Sequence, residues 1–257
     1  MMKRILALLL ALALPCAACL AEGTPAPAAS EAPPAATMPV AEDEPVEDPA
    51  LRLTGVRIGI DPGHQAHANS EKEPIAPGSR ETKPKVASGT SGRATGIAEY
   101  VTDLEIAFKL RDALLAEGAE VYMTRESHDV DISNRERAMM MNKLGVDLVL
   151  RIHCDGAEKS SVHGIGLYVT KTGPIAESSL AAAKCILPRM LEATGAAERG
   201  IFQRDTYTGQ NWSVVPCIMV ECGYMSNREE DFNLNTPAYQ QKLADGMVEG
   251  ICDWLGR

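Results

Sequence analysis

From Leu51 onward the chain alternates two apolar patterns. Short apolar runs read as buried strands: "VRIGI" (Val56–Ile60), "AEVYMT" (Ala119–Thr124), "DLVLRI" (Asp147–Ile152), "GIGLYVT" (Gly164–Thr170) and "CIMV" (Cys217–Val220). Longer segments between them carry helical spacing. "EYVTDLEIAFKLRDALLAEG" places Leu104, Ala107, Phe108, Leu114 and Leu115 on one face, with Gly118 as its stop. "SNRERAMMMNKLG" opens with Ser133 and Glu136 at capping-box spacing and closes at Gly145. "AESSLAAAKCILPRMLEATG" predicts a helix kinked at Pro188, and "TPAYQQKLADGMVEGICDWLG" one with Thr236 as N-cap and Pro237 at the first helical position. Strands alternating with helices of this length imply an α/β domain with a largely parallel sheet over residues 51–257.

The first 50 residues follow neither pattern. Lys3 and Arg4 precede the apolar "ILALLLALAL" (Ile5–Leu14), and small residues follow, which describes a secretory signal over residues 1–21. The apolar run is too short for a good membrane span, which needs about 20 residues. Two cleavage readings stay open. Cys19 after Ala17-Ala18 resembles a lipoprotein box, with a departure at Cys16, and ordinary cleavage near Ala21 is the alternative. Residues 22–50 are rich in Pro, Ala and acids and read as an extended, disordered tether. An exported protein of the cell envelope or exterior is therefore expected, with a membrane tether only if Cys19 is lipidated.

Composition narrows the partners. The net charge is −10 and aromatic residues make up 4% of the chain, so neither phosphate binding nor base stacking is favoured and nucleic acid is excluded as a partner. Seven acids lie in residues 20–50 and two basic residues near the start, leaving −5 on the folded part.

The chemistry gathers at strand ends. His64 follows the first strand in "IDPGHQ", His153 the third in "LRIHCDG", and Glu221 follows "CIMV". Ligands bind outside the carboxyl ends of strands in open parallel sheets, so one edge receives all three. Glu99 opens the helix after the first strand and reaches the same edge. Two histidines and a carboxylate form a common catalytic zinc set, and a further carboxylate beside it can take a proton from water. A divalent cation nearby would also explain a glutamate at the end of a buried strand. Turn dressing for His64, a plain helix-start acid for Glu99 and a satisfied core histidine for His153 are the structural alternatives. His67 lies three residues after His64 but in a loop, so no shared helical face joins them; His128 and His163 sit in turn-like contexts and are expected to face solvent.

"GIDPGHQ", "TGIAEYVTDLEIAFKL", "LVLRIHCDG" and "PCIMVECGYMSN", in this order, resemble the zinc-dependent N-acetylmuramoyl-L-alanine amidases of the Amidase_3 type, over roughly Arg52 to Arg257. The resemblance implies a mostly parallel mixed sheet flanked by helices on both faces, in a single catalytic domain. It implies Zn2+ held by His64, Glu99 and His153, with Glu221 as the catalytic residue. The substrate would be peptidoglycan, cut between the lactyl group of N-acetylmuramic acid and L-alanine by a monomeric enzyme. A zinc peptidase cutting within the stem peptide, or a non-catalytic wall-binding domain, are the competing readings. Cys154, Asp155 and Asp103 depart from the Ala, Asn and Asn usual in that family. Residues 65–98 form a long stretch without evident structure, expected to rim the active-site groove and touch glycan or peptide, or else to be a mobile insertion. "RDTYTGQNW" (Arg204–Trp212) could line the same groove. Five cysteines lie in the domain, an odd number that cannot all pair. Cys154 and Cys222, each following a site residue, could pair or ligate metal.

Overall fold

The computed structural model describes residues 51–257; the expected signal (1–21), Cys19 and the tether (22–50) lie outside the described residues. Eight strands are formed: β1 (Arg57–Pro62), β2 (Asn69–Pro74), β3 (Thr82–Val86), β4 (Glu120–Met123), β5 (Leu148–Asp155), β6 (Ile165–Val169), β7 (Glu198–Gln203) and β8 (Cys217–Tyr224). The helices are α1 (Glu99–Ala116), α2 (Asn134–Leu144), α3 (Ala176–Thr194), α4 (Thr208–Asn211), α5 (Arg228–Leu234) and α6 (Pro237–Leu255). Six strands form one sheet in the order β4-β1-β5-β8-β6-β7. Every pairing in it is parallel except β6 with β8, which gives the expected mixed, mostly parallel sheet.

Residue parity assigns the two faces. Ile58, Ile60, Leu148, Leu150, Ile152, Ile218 and Val220 join the main core with residues of α1, α3 and α6. α6 approaches α3 through glycine: a Cβ on Gly246 would lie 2.7 Å from the Met190 Cα, so any larger residue would force the helices apart. The other parity carries Gly59, Asp61, Val149, Arg151, His153, Cys217, Met219 and Glu221. A smaller cluster of Met141, Val146, Val149, Ile175 and Cys217 covers only part of this face. The polar residues beyond it are left facing a cavity.

Several elements differ from expectation. β5 and β8 extend past the apolar runs, so His153 and Glu221 lie within strands, not after them, and are partners in register. Residues 65–98 are not structureless: β2 and β3 pair as an antiparallel hairpin. Trp212 Nε1 donates to Pro74 O (2.8 Å), Asn134 Nδ2 to Lys85 O (2.8 Å) and Lys83 Nζ to Thr206 O (2.6 Å), tying the hairpin to α2 and to the α4 region. α3 runs unbroken through Pro188, where the carbonyl deprived of a donor belongs to the exposed Lys184 and can bond water. The Ser133–Glu136 capping box forms as expected. Thr236 takes the N-cap position of α6 but makes no side-chain cap.

Candidate metal centre and active site

The site begins at the turn leaving β1. His64 has φ 54°, the sole non-glycine residue with positive φ among those described. That conformation costs roughly 1–2 kcal/mol for a residue with a Cβ and persists only where the surroundings enforce it. It turns the ring toward α1. Nδ1 lies 2.8 Å from Ala87 O, an acceptor that assigns the proton to Nδ1 and leaves Nε2 as a lone-pair donor, 3.1 Å from Glu99 Oε1.

Glu99 heads α1 and is buried at 4% exposure. Oε2 accepts from the Thr90 amide (2.7 Å), and Oε1 lies 3.2 Å from His153 Nδ1 and 3.3 Å from the Cys154 amide. Burial would raise its pKa, but the facing imidazoles of His153 and His64 prevail and hold it well below the usual carboxylate range. His153 is driven the other way: burial, which disfavours the imidazolium, lowers its pKa to about 4, so at neutral pH it offers a neutral nitrogen. One ligand atom from each of His64, Glu99 and His153 lies within 4.8 Å of the others. His153 Nε2 is buried without a partner. Glycines make room for the cluster. A Cβ on Gly63 would fall 2.5 Å from His153 Nδ1, and one on Gly89 would fall 2.8 Å from Glu99 Oε2. Two imidazoles and a carboxylate, with an orphaned buried nitrogen among them, fit a divalent cation of the zinc type.

Glu221 stands beside His153 on the next strand. Its Oε2 is buried with no hydrogen-bond partner. Burial, with the Glu99 charge adding to it, pushes its pKa well above the normal range. His64, Glu99, His153 and Glu221 share a cavity of about 660 Å³ whose walls include Lys83, Val86 and Thr90 from residues 65–98, Arg93 before α1, and Tyr207 and Thr208. All four expected residues are thus brought together, and the long insertion does form part of the rim. From "RDTYTGQNW", Tyr207 faces the cavity, while Trp212 and Asn211 instead hold the hairpin.

The remaining histidines lie apart from the cluster. His67 and His163 are exposed. His128 is half-buried, packed edge-on against Tyr100 at 5.2 Å, so its expected exposure is not realised. Cys154 and Cys222 take the parity of the main core, behind the sheet from His153 and Glu221, and both are free thiols. Asp103, one turn along α1 from Glu99, is fully buried with both oxygens unpartnered. Burial and the Glu99 charge push its pKa well above normal, and the side chain is isosteric with the asparagine usual there in the resembling family.

Asp61, Arg125, Arg137 and Arg151 escaped the sequence reading. Asp61 accepts from Thr124 Oγ1 (2.6 Å), Arg137 (2.9 Å) and Arg151 (2.8 Å). Burial alone would raise its pKa, but the two guanidiniums hold it well below the usual range. The available signal was an arginine inside the apolar run "LVLRI", which a buried strand tolerates only with a partner.

A histidine–glutamate–histidine cluster with a second buried carboxylate at the mouth of a mixed α/β sheet fits the donor set of a metal-dependent hydrolase. The family model for N-acetylmuramoyl-L-alanine amidase matches residues 58–253, and the chain belongs to that family. It is 29% identical to an N-acetylmuramoyl-L-alanine amidase of Mycobacterium tuberculosis, over 79% of this chain and 88% of that protein. It is 30% identical to a germination-specific N-acetylmuramoyl-L-alanine amidase of Bacillus subtilis, over 79% and 81% respectively. Among solved structures, the N-acetylmuramyl-L-alanine amidase of Mycobacterium smegmatis superposes with a TM-score of 0.73 at 26% identity, over 79% of this chain and 98% of that one.

Proposed function

We propose that the chain is an envelope peptidoglycan hydrolase that cleaves the amide joining the lactyl group of N-acetylmuramic acid to L-alanine, with His64, Glu99 and His153 as ligands of a zinc ion and Glu221 as general base. The observation that carries the reading is the convergence of those three donors within 4.8 Å, in the cavity that Glu221 also lines. Bound zinc would act as a Lewis acid and lower the pKa of water toward about 7. The Glu221 carboxylate, poised by burial for proton uptake, accepts the proton of the attacking water and delivers it to the nitrogen of L-alanine as the C–N bond breaks. Such acid–base assistance contributes roughly 10²–10⁴-fold. The Ala87 carbonyl fixes the His64 tautomer, and the Thr90 and Cys154 amides hold the Glu99 carboxylate in place. Export through the N-terminal segment, with or without lipidation at Cys19, would bring the domain to its polymer. No described helix is long and apolar enough to cross a membrane.

The test is digestion of purified peptidoglycan by wild type, wild type with chelator, and Glu221→Gln. Wild type should yield glycan chains bearing free lactyl carboxylates and peptides with an L-alanine amino terminus. Chelation should abolish both products. Glu221→Gln should retain zinc yet lose turnover, whereas His64→Ala and His153→Ala should lose the metal. Shortened peptides still joined to intact lactyl groups would identify a stem-peptide peptidase instead.

A further inference from the structure

The residue with the least comfortable backbone, His64, is surrounded by carbonyls that no secondary structure uses. Pro62 O, Gly63 O and His64 O are three consecutive acceptors at the turn leaving β1. Two buried guanidiniums take all three. Arg137 donates to Pro62 O (2.7 Å) and to His64 O (2.8 Å), and Arg125 donates to Pro62 O (3.1 Å) and Gly63 O (2.7 Å). Pro62 O is therefore gripped from both sides. The arginines are themselves anchored: Arg137 to Asp61 and to Ile132 O, Arg125 to Tyr100 O and Ser127 O.

We infer that Arg125 and Arg137 form a clamp that pre-organises the strained His64 turn, so that the histidine is set in its ligand position before any metal arrives. They act through the backbone and touch neither the ligand atoms nor substrate, which makes them positioning residues. The inference rests on the proposed metal role of His64. A planar fork with several fixed donors can hold adjacent carbonyls at a set spacing, which a lysine ammonium cannot do. Burial at 3% and 2% exposure removes competition from water. Each bond to a charged donor also exceeds a neutral one. The turn is closed from a third side by the Gly63 amide, which donates to Ile152 O at 2.8 Å, on the strand that carries His153. The clamp thus sets the two histidines relative to each other.

The experiment measures Zn2+ affinity by chelator competition and the visible spectrum of the Co2+ form, for wild type, Arg125→Lys and Arg137→Lys. Arg52→Lys serves as control, because Arg52 pairs with Glu117 and Glu249 far from the site and should lower thermal stability without touching metal binding. Loss of partners that orient a metal ligand costs about 10–100-fold in affinity, and that loss is expected in both clamp variants, with an altered Co2+ spectrum. Wild-type affinity and spectrum in either folded variant overturns the clamp. Should the lysine variants fail to fold, hydrogen exchange of metal-free wild type decides the matter: the Gly63 amide should be protected at the level of the β5 amides. Protection there only after Zn2+ addition overturns the inference. A wild type that binds no metal, or binds it equally in His64→Ala, would instead refute the metal role itself.

Discussion

Gly63→Ala isolates the geometric requirement of the metal cluster from every electrostatic one. Gly63 does not adopt a positive φ, so alanine carries no backbone penalty there, and the whole effect is steric. The added Cβ would lie 2.5 Å from His153 Nδ1 and 2.7 Å from Nε2. Ordinary contact begins near 3.4 Å, so one group must yield by about 1 Å in an interior packed to near-crystalline density. The backbone at Gly63 is held by Arg125 and by its own bond to Ile152 O, which leaves the imidazole as the part that moves. A misplacement of about 1 Å in a reacting constellation costs on the order of 10²-fold in rate. Gly63→Ala should therefore fold, bind Zn2+ about 10–100-fold more weakly by chelator competition, and lose about 10²-fold in kcat/KM on a soluble muropeptide. A folded variant with wild-type zinc affinity and turnover would show that the His153 position is not the one that binds metal.

Other outcomes follow from the same contacts. Asp61→Ala leaves the buried Arg137 and Arg151 without their shared anion and should cost about 3–5 kcal/mol in denaturant unfolding; a loss under 1 kcal/mol would refute the hub role. Because the folded-state pKa of Asp61 is depressed, its contribution is complete above the unfolded value of about 3.9 and is lost as pH falls below it. Urea titrations from pH 6, about two units above that value, down to pH 3, about one unit below it, should show this loss setting in, and a flatter profile in Asp61→Asn. Chelation should abolish turnover while leaving far-ultraviolet circular dichroism unchanged, since the main core contains no metal ligand; zinc at about 100 times its Kd should then restore roughly 2.7 kcal/mol. Lys83→Ala removes the bridge from the hairpin to Thr206 O across the cavity rim and should raise KM for polymeric peptidoglycan several-fold at unchanged kcat, with under about 1 kcal/mol lost in stability.

The residues of the proposed site were picked out because they sit at points that pattern reading marks: the turn after one strand, the head of one helix, and the carboxyl ends of two adjacent strands. The strand ends themselves were misjudged. His153 and Glu221 interrupt apolar runs, and a polar residue facing a cavity looks, in one dimension, like a residue past the strand. The hairpin was missed for the opposite reason. "NSEKEP" and "TKPKV" are charged on both faces and carry prolines, and they are held by bonds to Trp212, Asn134 and Thr206 in distant parts of the chain. β7, in "ERGIFQ", is an edge strand with little burial, so hydrophobic periodicity had nothing to register. Arg125 was invisible because its partners are backbone carbonyls, which have no letter in a sequence, and Arg137 because most of its partners are, with Asp61 lying 76 positions away.

The buried charges around the site divide into two sets that do not bond to each other. Arg125, Arg137 and Arg151 direct their donors to Asp61, to Asn134, to Gln65 and to backbone carbonyls. None donates to Glu99, Asp103 or Glu221, although Arg151 on β5 and Glu221 on β8 line the same cavity. Had one guanidinium reached Glu221, a charge-assisted pair would satisfy that carboxylate and depress its pKa, removing it as a base. The fold instead spends its permanent cations on the framework and leaves three acids to other means. Glu99 is met by two imidazoles and two amides, and Asp103 by no partner at either oxygen, its pKa raised by burial. Glu221 has one oxygen with no partner at all. An acid kept short of partners at a cavity wall is stable only if a proton or a cation comes and goes, and that exchange is the step a hydrolytic general base performs.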